Sequence, residues 1–284
     1  MFKTLFLTVL ALLAFAGNSV LCRLALNDDV IDAASFTSIR LFSGIVFLLF
    51  IVLIKTRKRI NIKDGNWLSS FLLFLYAITF SYAYISLDTG TGALILFGSV
   101  QITMIVFSLI KGRKFLLVEW LGLLFAILGL VLFLLPGASA PPLTGFVLMA
   151  LSGVAWGFYT IIGKNTQKPL IDTANNFLRT LPFIVLISLL SFDSMYLSNQ
   201  GIILAIISGA ITSGLGYAIW YSALAGLSVT QAAIVQLSVP IIAAFGGILF
   251  SNEIITLKLL TSSLLVLGGI FVVTMGRKYA KTTH

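Results

Sequence analysis

The sequence has one histidine, His284, and one cysteine, Cys22. Those two counts exclude an intramolecular disulfide, and with the scattered carboxylates they leave no cluster of Cys, His and acids that could hold a metal. No H-E-x-x-H and no G-x-x-x-x-G-K-[ST] run occurs, so neither a zinc protease nor a phosphate-binding loop is indicated. Carboxylates are also scarce. All nine fall in loops or near the ends of apolar runs, Glu119 lying closest to an interior position. No pair is placed for general acid–base work, and no buried acidic relay of the kind that couples protons to transport is visible. The chain is therefore not read as an enzyme, and neither a metal nor another cofactor is expected. Only 10% of its residues are charged against 59% hydrophobic, with a mean hydropathy of +1.11. That is too little polar surface for a water-soluble globule of 284 residues.

What is present is long and apolar. Ten runs approach the roughly 20 residues that cross a bilayer: about 3–22, 33–54, 67–87, 90–110, 116–135, 144–163, 174–197, 201–225, 228–250 and 254–275. The connections are too short for a soluble domain, so the function must lie within the membrane. A net charge of +9 raises nucleic acid as a partner, but the distribution of that charge points to topology instead. With the N-terminus in the cytoplasm, 14 of the 18 basic residues face inward: Lys3, the Lys55–Lys63 cluster, Lys111, Arg113, Lys114, Lys164, Lys168, Arg277, Lys278 and Lys281. Asp28, Asp29, Asp32, Asp88, Asp193 and Glu253 gather on the other side. Both termini are accordingly expected in the cytoplasm of a cell-membrane protein, with a lipid bilayer and a small molecule as partners and no nucleic acid. Lys3, the following apolar run and Ala14-Phe15-Ala16 also fit a cleavable signal peptide. Cleavage would leave an odd span count and break the repeat described next, so a retained first span is preferred.

Residues 82–102 match 221–241 at a constant shift of 139, with Tyr82/Tyr221, Thr91/Thr230, Ala93/Ala232, Ile95/Ile234, Ser99/Ser238, Val100/Val239 and Ile102/Ile241 identical. The same shift pairs Arg40 with Arg179, and one residue more pairs Gly17 with Gly157. Each copy holds five apolar runs. An odd number sends the second copy into the membrane from the opposite side, giving an inverted repeat, a construction that secondary transporters use to place substrate between their halves. The expected organisation is a first five-helix repeat at 1–136, an external linker at 137–143 and a second repeat with a basic tail at 144–284. The fold class is an all-α integral membrane protein of ten transmembrane helices.

Arg40 and Arg179 lie inside apolar runs, where an arginine costs at least ~2.5 kcal/mol and calls for compensation. Neither has a carboxylate within its own span. Their partners are then backbone carbonyls, water, a substrate anion, or the headgroups reached by snorkelling, and the sequence places the two at mirrored depths. In the matched fourth and ninth spans, Phe97 and Gln101 correspond to Gln236 and Pro240, an i, i+4 pair on one face. Pro240 should free a backbone carbonyl within the ninth span and can kink it. Gln101, Gln231 and Gln236 supply hydrogen-bonding capacity, for helix–helix glue or for a pocket. Tyr76, Tyr82, Tyr84, Trp156, Tyr159, Tyr217, Trp220 and Tyr221 are interface-belt or pocket aromatics. Gly153 with Gly157, and Gly209 with Ser213, allow helices to approach closely. Oligomeric state stays open, because such small-residue faces serve internal packing as well as a homodimer contact. Cys22, among apolar neighbours, reads as an inert packed thiol.

Gly17 and Trp156-Gly157 in the first span of each half, Arg40 and Arg179 in the second, Gln231 to Pro240, Asn252-Glu253 and Gly268-Gly269 together resemble the drug/metabolite transporter superfamily, in the group built from two EamA domains. The resemblance covers about 5–135 and 145–275. It implies ten helices, an inverted repeat, a cavity lined by spans one, three, four, six, eight and nine, and export or exchange of small metabolites such as amino acids. Three positions depart from the pattern: Ala16 where Trp is usual, Gln101 opposite Pro240, and Lys114 opposite Glu253. The function expected is secondary transport of a small organic solute by alternating access, with a passive channel or lipid scramblase as the alternative. The expected binding residues are Asn18, Arg40, Tyr82, Gln101, Trp156, Tyr159, Arg179, Tyr217, Gln231 and Gln236.

Overall fold

Apolar length decides the architecture. The computed structural model describes residues 2–27, 30–56, 65–135, 140–163, 166, 168–224, 226–227 and 229–280, apart from the side chains of 221, 229–231, 233 and 276–280. It has ten helical spans of membrane-crossing length: Phe2–Asn27, Ala33–Lys55, Trp67–Tyr84, Thr89–Ile110, Leu117–Leu134, Leu143–Gly163, Pro169–Leu190, Asn199–Leu224, Ile234–Ser251 and Leu257–Met275. Five spans belong to each repeat, so the second repeat runs through the bilayer in the opposite sense to the first. Consecutive spans alternate in direction. One face of the bundle therefore carries Lys55, Lys111, Arg113, Lys114 and Lys168, and the other carries Asp32, Asp88, Asp193 and Glu253.

The two repeats differ in regularity. The first five spans are continuous helices, whereas the seventh, eighth and ninth are interrupted. The seventh divides into Pro169–Leu178 and Leu181–Leu190, and the ninth begins as Val229–Gln236 and continues as Val239–Ser251. Both breaks share one local device. Pro182 and Pro240 open the second pieces of these two spans, where the missing N–H removes the bond to the carbonyl four residues back. Two residues before each proline a hydroxyl turns back on the chain: Thr180 Oγ1 donates to the Phe177 carbonyl at 2.7 Å and Ser238 Oγ to the Val235 carbonyl at 2.6 Å. At Pro240, where a freed carbonyl and a kink are expected, the span divides into two helices, and Pro182 produces a second break. The eighth span is wound as a π-helix over Ser208–Leu215. Such segments are rare and gather at functional sites.

Small residues set the closest helix crossings. A side chain at Gly209 would collide with the Arg40 carbonyl and Ser43 Oγ, so the π segment lies directly on the second span. At Gly153 a Cβ would come within 2.6 Å of the Leu96 carbonyl oxygen and Ser99 Cβ, which brings the fourth and sixth spans together. Cys22 is fully buried in the core. Outward faces are apolar throughout, as at Leu117, Leu121, Leu124, Leu128 and Val131 on the fifth span.

Candidate functional site

A cluster of polar and aromatic side chains fills the middle of the bundle. Tyr76, midway along the third span, is its centre. Its hydroxyl accepts from Arg40 Nη2 at 3.1 Å and from Asn18 Nδ2 at 3.3 Å. Asn18 Oδ1 in turn accepts from Ser208 Oγ at 2.6 Å and Thr212 Oγ1 at 3.3 Å, both in the π segment. Arg40 Nε donates to Ser213 Oγ at 3.4 Å, again from that segment. The Arg40 guanidinium carbon lies 4.9 Å from the Phe80 ring centroid and 5.4 Å from that of Tyr76. The first, second, third and eighth spans thus meet at one buried network, which joins both repeats. The geometry follows from local sequence. π winding and the small Gly209 let three hydroxyls of the eighth span reach across to Asn18 and Arg40.

An aromatic row leads away from this network. Tyr76 and Trp156 have ring centroids 4.7 Å apart, and Trp156 stacks on Tyr217 at 5.1 Å and on Tyr159 at 5.2 Å. Phe15 and Phe177 pack on Tyr217 at 6.0 Å each. Tyr159 accepts from Asn176 Nδ2 at 3.5 Å and lines a cavity of about 310 Å³ that opens toward the basic face. Asn66, Ser69, Asp172, Thr173 and Asn176 supply its polar wall. The row therefore connects a vestibule on one side with the buried arginine at the centre.

On the acidic face the bundle is tied shut. Arg23 Nε donates to Glu253 Oε1 at 3.4 Å, Nη2 to Asp88 Oδ1 at 3.3 Å, and Nη1 to the carbonyls of Tyr84 and Ile85 at 3.1 and 3.3 Å. Glu253 also caps the fourth span, accepting from Thr89 N through both oxygens at 2.9 Å and from Thr89 Oγ1 at 2.9 Å. A carboxylate at a helix N-terminus is favoured by the backbone dipoles there. A second tie lies between the loops that follow the first and seventh spans. Asp32 N donates to the Tyr196 carbonyl at 3.0 Å, Tyr196 N to Asp32 Oδ2 at 2.9 Å, and Ser198 N to the Val30 carbonyl at 3.1 Å. A smaller cavity of about 250 Å³ lies beside the Glu253 clamp, bounded by Asp88, Thr91, Pro142 and Thr256. Among the described residues, the one ion pair on the basic face is Arg113 with Glu119, within a single repeat.

Of the residues predicted from sequence, Asn18, Arg40, Trp156, Tyr159 and Tyr217 come together in this network. Tyr82 does not: it is 39% exposed on the outer surface, and Tyr76, one and a half turns earlier, takes the inner position. Arg179 is buried but stands apart. Its guanidinium carbon lies 5.4 Å from the ring of Trp67, the first residue of the third span, beside Gly65 and Asn175. Arg40 and Arg179 match in sequence, yet one reaches the centre and the other points back toward the basic face, so their depths are not mirrored. Gln101 is buried in the fourth span and Gln236 half-buried at the break of the ninth, and no hydrogen bond among the described residues ties either to the central network. The side chain of Gln231 lies outside the described residues. Tyr76, named from sequence only as a belt or pocket aromatic, Ser213, named only for helix packing, and Ser208 and Thr212 are members outside the expected binding set.

The family model for EamA-like transporters matches residues 2–135 and again 143–275. An uncharacterized protein of Pseudomonas aeruginosa is 50% identical over 97% of the chain and 96% of its own length. An uncharacterized transporter of Archaeoglobus fulgidus is 25% identical over 96% of the chain and 97% of its own length. The uncharacterized transporter YoaV of Bacillus subtilis is 22% identical over 84% and 86%. A protein of known crystal structure superposes with a TM-score of 0.65 over 95% of the chain and 99% of its own length, at 15% identity, which is a likeness of fold.

Proposed function

The chain belongs to the EamA-like transporter family, and from that premise we propose that it carries a small organic solute by alternating access, with the Asn18–Arg40–Tyr76 network and the Trp156 row as the solute site. One observation carries the reading. A buried polar centre shared by both repeats has an open vestibule on the basic side and a charged clamp on the acidic side. A carrier needs that asymmetry, since a site open to both faces at once would leak. Positive charge marks the cytoplasmic face. We therefore orient the vestibule to the cytoplasm and both termini with it, place the protein in the cell membrane, and assign export as the working direction. Arg179, beside the vestibule wall at Gly65, draws anions toward the entrance or anchors the third span.

The test is reconstitution into liposomes with radiolabelled leucine, benzoate and putrescine supplied singly. A carrier gives saturable uptake of at least one probe, accelerated when the same unlabelled probe is preloaded, and Trp156→Ala lowers that uptake without lowering the amount of folded protein. Linear flux with no counterflow would count for a channel. Scrambling of a fluorescent lipid without solute uptake would count for a scramblase.

A further inference from the structure

Among the described residues, Arg40 is a buried cation that faces no acid. Its three side-chain nitrogens meet different fates: Nε donates to Ser213, Nη2 donates to Tyr76, and Nη1 is buried with no hydrogen-bond partner. The described groups in contact with it are neutral, whether hydroxyl or ring. The contrast with the other ion pairs is informative, because Arg23 pairs with Asp88 and Glu253 and Arg113 with Glu119. A positive charge at the centre of a low-dielectric bundle, with one donor arm unused, is matched to an anion supplied from outside the protein.

The surroundings narrow that anion. A single unpaired cation balances one negative charge, and a dianion would bring an uncompensated charge into the core. Carboxylates are absent from the central network among the described residues, so an ammonium group there would have no counter-charge and would sit beside Arg40. On the vestibule side Asp172 lines the cavity wall and accepts from Thr166 Oγ1. The row of Trp156, Tyr217 and Tyr159 offers flat apolar faces to the rest of the solute. Resting on the carrier reading above, we propose that the transported solute is an organic monocarboxylate with a neutral, flat or apolar body. Its carboxylate takes Arg40 Nη1, and its body lies along Trp156.

Binding of four matched probes to the purified full-length protein tests this: 3-phenylpropionate, 3-phenylpropionamide, 3-phenylpropylamine and phenylalanine. The expected result is that phenylpropionate binds roughly tenfold or more tightly than the amide, the gain of a hydrogen bond to a charged group. Amine and zwitterion should bind more weakly than the carboxylate. Arg40→Lys should shrink the carboxylate preference while preserving the fold, and Trp156→Ala should weaken carboxylate and amide alike. Preference for the amine or the zwitterion, binding of none of the four, or a carboxylate preference unchanged in both Arg40→Lys and Arg40→Gln would overturn the assignment. Saturable counterflow of the amide or amine in liposomes would sink the anion class and leave the carrier standing. Equal, non-saturable leakage of all four would remove the carrier reading itself.

Discussion

At the scale of single residues, depth in the membrane decides what a polar side chain does. Tyr76 lies midway along its span and cannot reach water, so its hydroxyl is held by Arg40 and Asn18. Tyr82 is near the end of the same span and faces outward, the position of a belt residue. The sequence lists both as tyrosines of the third span; counting from the span's start would have separated them. Arg40, Asn18 and Trp156 were legible because charge, amide and indole are conspicuous in apolar runs. Ser208, Thr212 and Ser213 were not, because a hydroxyl in a helix commonly bonds its own turn, as Thr212 does with the Ser208 carbonyl at 2.8 Å. Asn18 is the residue on which this network turns. Its replacement by Ala removes the acceptor of Ser208, which is fully buried, and should cost about 1–3 kcal/mol. Thermal unfolding in detergent should show a clearly lowered midpoint for Asn18→Ala, while Tyr82→Phe stays within ~0.5 kcal/mol of the parent. Equal stability of the two variants would mean that the network does not bind the repeats together.

At the scale of elements, the number of spans and the repeat were legible because each apolar run is long enough to cross and the charges alternate between their ends. The break at Pro240 was legible for the same reason any mid-helix proline is. The π segment of the eighth span was not, because nothing local demands it: it follows from how Gly209 packs on the carbonyl of Arg40. The matched positions in the first repeat are Leu41 and Ser43 for Thr180 and Pro182, and Ser99 and Gln101 for Ser238 and Pro240. Those positions lie in unbroken helix. Helix irregularity is thus concentrated in the second repeat, where two proline breaks bracket the π segment. Restoring the missing N–H by Pro182→Ala or Pro240→Ala offers a donor to the Leu178 or Gln236 carbonyl and should raise stability by about 1 kcal/mol. Solute flux in liposomes should fall in the same variants if the breaks act as hinges. A raised unfolding midpoint with undiminished flux would show that the breaks are packing features and not hinges.

At the scale of the whole molecule, the inverted repeat makes the two membrane faces comparable residue by residue. On the acidic face Arg23 and Glu253 join the two halves with side chains only 12% and 11% exposed. Their counterparts by the repeat offsets are Gly163 and Lys114, which cannot form that pair. The clamp exists on one face and has no twin on the other. On the proposed alternating-access mechanism, the clamp favours the state that is closed on the acidic face and open on the basic one, since a contact made in only one state shifts the population by its own free energy. Breaking it by Glu253→Gln removes a partly buried ion pair and the charge on a helix cap, which should move the balance by about 1–3 kcal/mol, or roughly 5- to 150-fold in population. Val20 faces Gly246 of the ninth span just beneath the clamp and reports on that opening. In a Cys22→Ser background, a cysteine at Val20 should react slowly with an external maleimide, and Glu253→Gln should speed the reaction about fivefold or more. Building the missing twin with Lys114→Glu and Gly163→Arg should slow the labelling of a cysteine at Ser69 in the vestibule, because the basic face would then close. Labelling at Val20 that ignores Glu253→Gln would show that the ion pair is a static helix cap, and that the bias between faces arises elsewhere.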